Sequence, residues 1–353
     1  MATEYQHVFY TGLPFFGLLT FFSFGNGYQE KFSLLITVLL ALYCVYVFGH
    51  RPVEIYTDTH VYVSHLNQYK NDIDVGIGFT PTRDIAWYSF VWLAAYMNLS
   101  GVSFLTVSAI LFVIPLLGAF YRIFNSNILL PFLLLCSCFF FWSLGTNVLR
   151  TGVGLSFFLL GISYMKDGLK IGWLPLALSV LFHLSFILPV CVWLLFVYFE
   201  ADVRYLIGIW FLFLILACLN IGILNHILEF IDSSMVNDRI DQYIMPGTLS
   251  FYRSGFRLDF VSFSVFFGIV GLFLRKRIYT DHFYDAVLNS YIIINAFFLI
   301  TMNIPFSDRF AALSWILIPL ICSYPLIKSD CMYWEYIILF FSLAMFLLSI
   351  ILY

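Results

Sequence analysis

Charge is what this sequence lacks most. Only 17 Lys and Arg and 20 Asp and Glu occur in 353 residues, 10% of the chain. A soluble domain carries about 25% charged residues, because polar groups must cover its core. The shortage excludes an ordinary globular enzyme and a disordered chain. A formal net charge of −3 offers no basic surface, so nucleic acid is not an expected partner. Cysteine is sparse as well, with 7 residues and no CxxC. Neither a disulfide frame nor a zinc site is indicated. Cys44, Cys136, Cys138, Cys191, Cys218 and Cys322 fall in apolar segments, and only Cys331 sits near a loop. The sequence also lacks GxxxxGK[ST], HExxH and GxSxG, which removes nucleotide hydrolysis, a zinc protease and a nucleophile elbow. No repeat, low-complexity tract or paired discontinuous segment of the transporter kind is visible.

Apolar residues are abundant instead: 62% of the chain is hydrophobic, with 42 Phe and 23 Tyr. The pattern is that of an all-α, polytopic integral membrane protein. Runs long enough to span a bilayer occur at 8–24, 33–49, 101–121, 127–144, 146–165, 205–228, 258–274, 284–303, 309–327 and 332–352. No basic stretch precedes the first run, so it reads as a retained span. Residues 84–98 are short for a span, and 172–198 are long for one and short for two. With these two segments, about 10–12 membrane helices are expected in one domain over 1–353. The hydrophilic loops of substance are 50–83 and 229–257.

Orientation follows from Lys and Arg in short loops, which favour the cytoplasm. The clusters Arg275-Lys276-Arg277 and Lys166/Lys170 both face inward if 172–198 is a re-entrant hairpin and 84–98 an interfacial or re-entrant helix. Lys31, Arg122, Arg204 and Lys328 then join them. Arg51, Lys70, Arg83, Arg150, Arg239, Arg253, Arg257 and Arg309 face outward. Seven of these eight outer residues are Arg. The planar guanidinium grips phosphate with two donors, whereas Lys is a point charge. An outer phosphate ligand and simple salt bridging both account for that bias.

Asn147, Arg150, Thr151 and Gly154 fall at i, i+3, i+4 and i+7 and would share a helix face. An arginine at membrane depth lines a polar cavity, pairs with an acid, or snorkels to water. Gly154 and Gly161 would let a neighbouring helix or a lipid chain approach closely. His183 lies in the apolar stretch LSVLFHLSF, at the predicted hairpin turn, as a structural cap or a site residue. Ser179 and Ser185 are its nearest polar neighbours in sequence. Asp308-Arg309 opens the 309–327 helix, where Asp308 suits an N-cap or an ion pair and Arg309 suits an anion. Loop 229–257 interleaves Asp and Arg with Tyr243 and Tyr252, and includes Arg239, Arg253 and Arg257. That mixture suits a sugar site as well as a solvated loop. In loop 50–83, Asp58, Tyr62 and His65 would share one side of a helix. His60 and His65 are five apart, off the usual helical metal spacing, so no metal is expected.

Three of these patterns resemble the EpsG/Wzy group of bacterial polysaccharide polymerases. An early outer loop reads DTHVYVSHLNQY and is followed by a GF…W…F helix at 78–90. The stretch NVLRTGVGLSFFLLGISYMKDGLK is similar to the family's Arg-x-Gly helix with its basic cytoplasmic end, and LSVLFHLSFILP to its FHxS hairpin. SDRFAALSWILIPLI is similar to the late Arg-led helix. Together they cover most of 50–327. Thr151 departs from the family pattern, in which many members carry Gln beside the arginine.

The resemblance implies glycosyl transfer at the outer face of the bacterial inner membrane. Undecaprenyl-pyrophosphate-linked oligosaccharides are joined, without metal or cofactor. Membrane lipid and a chain-length regulator protein are the further partners implied. In that scheme Arg150, with Arg239, Arg257 or Arg309, neutralises charge on the departing pyrophosphate. Asp58 or His183 orients or deprotonates the acceptor hydroxyl. Asn147, Arg239, Tyr243, Arg253, Arg257, Asp308 and Arg309 hold pyrophosphate and sugar. A flippase or transporter of the same lipid-linked glycan would share the arginines, but should spread charge along mid-membrane helices. A membrane O-acyltransferase would need a donor-side histidine and an acyl route that no motif supplies.

Overall fold

The computed structural model describes residues 2–25, 30–53, 57–81, 83–219, 255–302 and 307–352, and every regular element among them is helical. Among the described residues, six helical segments are long and apolar enough to cross a membrane: Glu30–Gly49, Gly101–Ser137, Leu258–Arg277, His282–Ile300, Ser307–Lys328 and Trp334–Leu352. A bent pair, Phe139–Thr146 with Leu149–Lys166, brings the number to 7 when it is counted as one span. Shorter apolar helices cover Ile85–Tyr96, Lys170–Phe182, Leu184–Tyr198 and Val203–Cys218. The all-α, multi-pass architecture follows from the hydropathy.

The helices form two compact units, Met1–Val190 with Asp330–Tyr353, and Cys191–Ser329. The first holds α1 (Ala2–Gly25), α2 (Glu30–Gly49), α3 (Thr57–Asp74), α4 (Ile85–Tyr96), α5 (Gly101–Phe124), α6 (Leu129–Ser137), α7 (Phe139–Thr146), α8 (Leu149–Lys166) and α9 (Trp173–Phe182). α10 (Ile187–Tyr198) carries the chain into the second unit. There follow α11 (Val203–Cys218), α12 (Leu258–Arg277), α13 (His282–Ile300), α14 (Ser307–Trp315) and α15 (Ile318–Lys328). α16 (Trp334–Leu352) returns to the first unit.

Two predicted spans are corrected here. The 127–144 run is not one helix, because Cys138 is extended (φ −73, ψ 133) and separates α6 from α7. No proline causes the break. Ser137 Oγ and Cys138 Sγ instead bond back to the Leu133 and Leu134 carbonyls, which weakens the local ladder. Ser349 Oγ on α16 donates 2.8 Å to the Ser137 carbonyl and so satisfies a group that the break exposes. The second correction concerns 146–165. Its helix starts at Leu149, after a 113° turn from α7. Asn147 therefore lies in the turn and does not share a face of α8 with Arg150.

α5, α8 and α9 form the centre of the first unit. α8 and α9 approach closely because glycine faces the contact. A Cβ on Gly154 would sit 2.7 Å from the Phe186 ring and 3.1 Å from the Ser179 carbonyl. On Gly161 it would sit 2.6 Å from Leu176. Helix approach through small residues is therefore realised at both positions. Phe9, Phe48, Phe112, Phe141 and Trp142 fill the adjacent core with ring pairs 5.1–6.1 Å apart. Edge-to-face and tilted pairs of this kind add to the burial of apolar area.

In the second unit, apolar helices enclose a polar chain. Trp210 Nε1 donates to Asn295 Oδ1 at 3.0 Å, and Asn295 Nδ2 donates to Ser264 and Ser314 at 2.9 and 3.0 Å. Trp315 Nε1 also donates to Ser264. In this chain Trp210, Asn295, Ser264, Ser314 and Trp315 partner one another, which is the condition for burying them.

Candidate functional site

Asp84 precedes α4 in a left-handed conformation, φ 43 and ψ 49. That region is uncommon for any residue other than glycine, although Asp tolerates it better than most. Asp84 occupies the N-cap position, yet its carboxylate makes no bond to its own helix. It is turned instead toward α8 and α9. Arg150 Nη1 donates to Asp84 Oδ2 at 2.6 Å, and the Leu184 N–H donates to Oδ1 at 2.9 Å. His183 Nδ1 stands 3.6 Å from Oδ1. The Asp84 side chain is 5% exposed and Arg150 17%. One buried carboxylate thus gathers an arginine from the start of α8 and a histidine from the end of α9.

Local structure explains each position. Arg150 occupies the first turn of α8, directly after the 113° bend. His183 is extended (φ −155, ψ 116) and ends α9, so its own backbone breaks the helix where the sequence places a turn. Ser179 Oγ donates to the Leu176 carbonyl. The side-chain group facing His183 is Asp84, while Ser179 meets His183 through the backbone, its carbonyl accepting the His183 N–H at 3.1 Å. The Leu184 N–H and the Arg150 guanidinium both donate to the buried carboxylate and offset the cost of burying its charge.

α3 forms the second wall. The sequence reading places Asp58, Tyr62 and His65 on one side of a helix, and residues 57–74 are helical. Tyr62 is buried, packs edge-on against Trp87 at 5.2 Å and shares a side-chain hydrogen bond with Arg150. His65 is held below its usual 6.5 by burial, then by the nearby charges of Arg150 and Arg83. Asp58 lies one turn before Tyr62 and is partly exposed. Arg51 is 1% exposed beneath this wall. It donates to the Phe48 carbonyl at the end of α2, to the Gly145 carbonyl near the end of α7, and to Thr59 on α3. Thr59 in turn donates to the Thr146 carbonyl at 2.8 Å. These bonds satisfy helix-end carbonyls and tie α3 to the bend that presents Arg150.

Basic residues mark the far end of the same unit. Arg122 pairs with Asp167 at 2.6 Å and lies over the Tyr164 ring, while Lys166 reaches Asp167 at 3.1 Å. Sixteen residues of α8 separate Lys166 from Arg150, about 24 Å along the axis.

The second unit has its own outer candidates. Arg257 pairs with Asp259 at 2.6 Å and lies 3.8 Å over the Phe260 ring. Asp308 is within electrostatic reach of both Arg257 and Arg309. The predicted residues Arg257, Asp308 and Arg309 therefore share one end of this unit, with the Arg257 fork engaged by a neighbouring carboxylate. At the other end of α12, Arg275 grips Asp285 with two bonds of 2.6 and 3.1 Å. Arg239, Tyr243 and Arg253 lie outside the described residues.

Sequence reasoning named Arg150 and His183 but missed Asp84, which joins them. The available signal was a lone carboxylate heading an otherwise apolar helix; a charge at membrane depth needs a named partner. Arg51 and Thr59 had no such signal. No group of three or more metal-ligating side chains occurs among the described residues.

A family model, the EpsG family, matches residues 32–353. No curated protein matches. No solved structure matches.

Proposed function

The chain belongs to the EpsG family, whose members are polysaccharide-polymerase-type membrane proteins, and from that premise we propose the specific reaction. The protein joins undecaprenyl-pyrophosphate-linked oligosaccharide repeat units at the outer face of the bacterial inner membrane. The observation that carries this reading is the buried Asp84, with Arg150 at 2.6 Å and His183 at 3.6 Å.

In the proposed step, an acceptor hydroxyl oxygen attacks the donor sugar at C1. The bond from C1 to the pyrophosphate oxygen breaks, and undecaprenyl pyrophosphate leaves. Arg150 faces the charge that gathers on the leaving phosphate, where a preoriented donor is worth most. Asp84 and Tyr62 fix that guanidinium, so little reorganisation accompanies bond breaking. His183 takes the acceptor proton. Its Nδ1 is turned toward Asp84, and Nε2 is assigned to the hydroxyl. Asp84 then stabilises the imidazolium as it forms. Asp58, on the same helix face as Tyr62, orients the acceptor. Leaving-group energy resides in the pyrophosphate, consistent with a sequence that carries no nucleotide motif.

Charge placement supports the outer face. In the first unit, Arg51, Arg83 and Arg150 lie at one end, and Arg122, Lys166 and Lys170 at the other. In the second unit, Arg257 and Arg309 lie opposite Arg275, Lys276, Arg277 and Lys328. Short-loop lysines and the Arg-Lys-Arg cluster mark the cytoplasmic side.

The test is a gel of surface glycan from a host deleted for this gene, beside strains complemented with wild type, Arg150→Ala and Arg150→Lys at matched expression. The expected result is a single-repeat band in the deletion, a ladder with wild type and no ladder with either variant. Lysine keeps the charge but loses the fork. Loss of even the single-repeat band in the deletion would instead place the protein in export.

A further inference from the structure

A row of rings begins beside Arg150 and has no part in the step above. Tyr88, Trp92 and Tyr96 recur at every fourth position of α4 and so form one stripe. Trp92 and Tyr96 stack at 5.6 Å with 16° between planes. Phe79, from the segment before α4, lies 5.6 Å from Trp92 and 6.2 Å from Tyr69 of α3. His65 of α3 lies 6.1 Å from Tyr88. Tyr88 is within electrostatic reach of both Arg150 and Tyr69. The stripe runs about 12 Å along α4, the scale of a short oligosaccharide.

We propose that this row, His65, Tyr69, Phe79, Tyr88, Trp92 and Tyr96, is a shelf that binds the sugar residues of the glycan whose pyrophosphate Arg150 receives. The inference rests on the polymerase reading and adds where the glycan lies. Its rings are partly exposed: Tyr69, Phe79, Tyr88 and Trp92 are half-buried, and Tyr96 is 66% exposed. A pyranose offers an apolar face to such rings and hydroxyls at its rim. α3 supplies the matching polar groups, because Asn67, Gln68 and Asn71 are exposed and Asp72 acts on Tyr69. Lipid-facing surface elsewhere looks different. On α1 and α16 it includes Leu18, Phe22, Phe340 and Ile351, each more than half exposed, with Tyr336 at the start of α16. Continuity with Arg150 sets the direction: a lipid-linked glycan has its pyrophosphate at one end and its sugars extending from it.

The experiment is calorimetric titration of purified full-length protein in lipid nanodiscs. The probe is the repeat-unit oligosaccharide of the source strain, released from its lipid by mild acid. Wild type binds it. Trp92→Ala raises Kd by about tenfold, the upper range for one aromatic contact, and Trp92→Phe stays close to wild type. Phe340→Ala, at an exposed ring of α16 outside the row, retains wild-type binding. If Trp92→Ala does not elute as folded protein, Tyr96→Ala, at an exposed ring, takes its place. Unchanged affinity in both alanine variants would overturn the proposal and make the row a membrane-interface belt. Absence of binding by wild type would also overturn it. The glycan ladder judges the polymerase reading separately, so the two failures are distinguishable.

Discussion

Replacing Asp84 with Asn removes one charge and keeps the shape of the side chain. Asp84 holds Arg150 at 2.6 Å and accepts the Leu184 N–H at 2.9 Å. The carboxylate is 5% exposed and the arginine side chain 17%, so water replaces little of what is lost. Breaking a buried ion pair by removing one partner costs about 3–5 kcal/mol. The Asn oxygen still accepts from one donor, which places the expected loss near the lower end, about 3 kcal/mol. Arg150→Gln strands Asp84 and destabilises to a similar degree. The double variant strands neither charge, so its loss falls short of the sum of the singles by at least about 1 kcal/mol. The assay is thermal unfolding of the detergent-solubilised full-length protein, followed by fluorescence-detected size exclusion, with the glycan ladder recorded in parallel. Strictly additive shifts in apparent Tm, or a fully stable Asp84→Asn that still builds polymer, would refute the claim that this pair organises the site.

Further outcomes follow from the same geometry. Gly154→Ala places a methyl 2.7 Å from the Phe186 ring and destabilises by about 1–3 kcal/mol through overpacking; Gly17→Ala, with nothing within 4 Å, serves as the neutral control in the same melt. Lowered below 6.5 by burial and by Arg150 and Arg83, His65 resists a proton that the unfolded chain accepts. Its contribution to stability is therefore complete above pH 6.5 and declines as pH falls through that value, so melts between about pH 7.5 and about pH 5.5 have a smaller slope in His65→Gln than in wild type. In a cysteine-free background, a membrane-impermeant maleimide labels Asn98→Cys in spheroplasts but labels Gly168→Cys only after lysis; the reverse pattern would invert the proposed orientation.

The sequence by itself determined the class of this protein. Too little charge to clothe a soluble core, together with long apolar runs, leaves a helical membrane protein, because only helices satisfy every backbone group within a single segment in lipid. Local periodicity was sufficient for the shared side of Asp58, Tyr62 and His65 within what reads as loop 50–83, and for the small-residue positions of α8. Both depend on neighbours three to seven positions away, which one strand of sequence records. The break at Cys138 was not legible, and the one at Asn147 showed only as the boundary between the runs ending at 144 and starting at 146, without its 113° bend. Neither has a proline, and the exposed Ser137 carbonyl is satisfied by Ser349, 212 positions away. Asp84 was overlooked for the same reason. It heads an apolar helix as an ordinary cap would, yet its carboxylate serves Arg150, 66 positions later, and Leu184, 100 positions later. A buried charge is tolerable only with its counter-charge in place, and that pairing is a property of the packed chain. Sequence located the scarce charges; tertiary structure decided which of them meet.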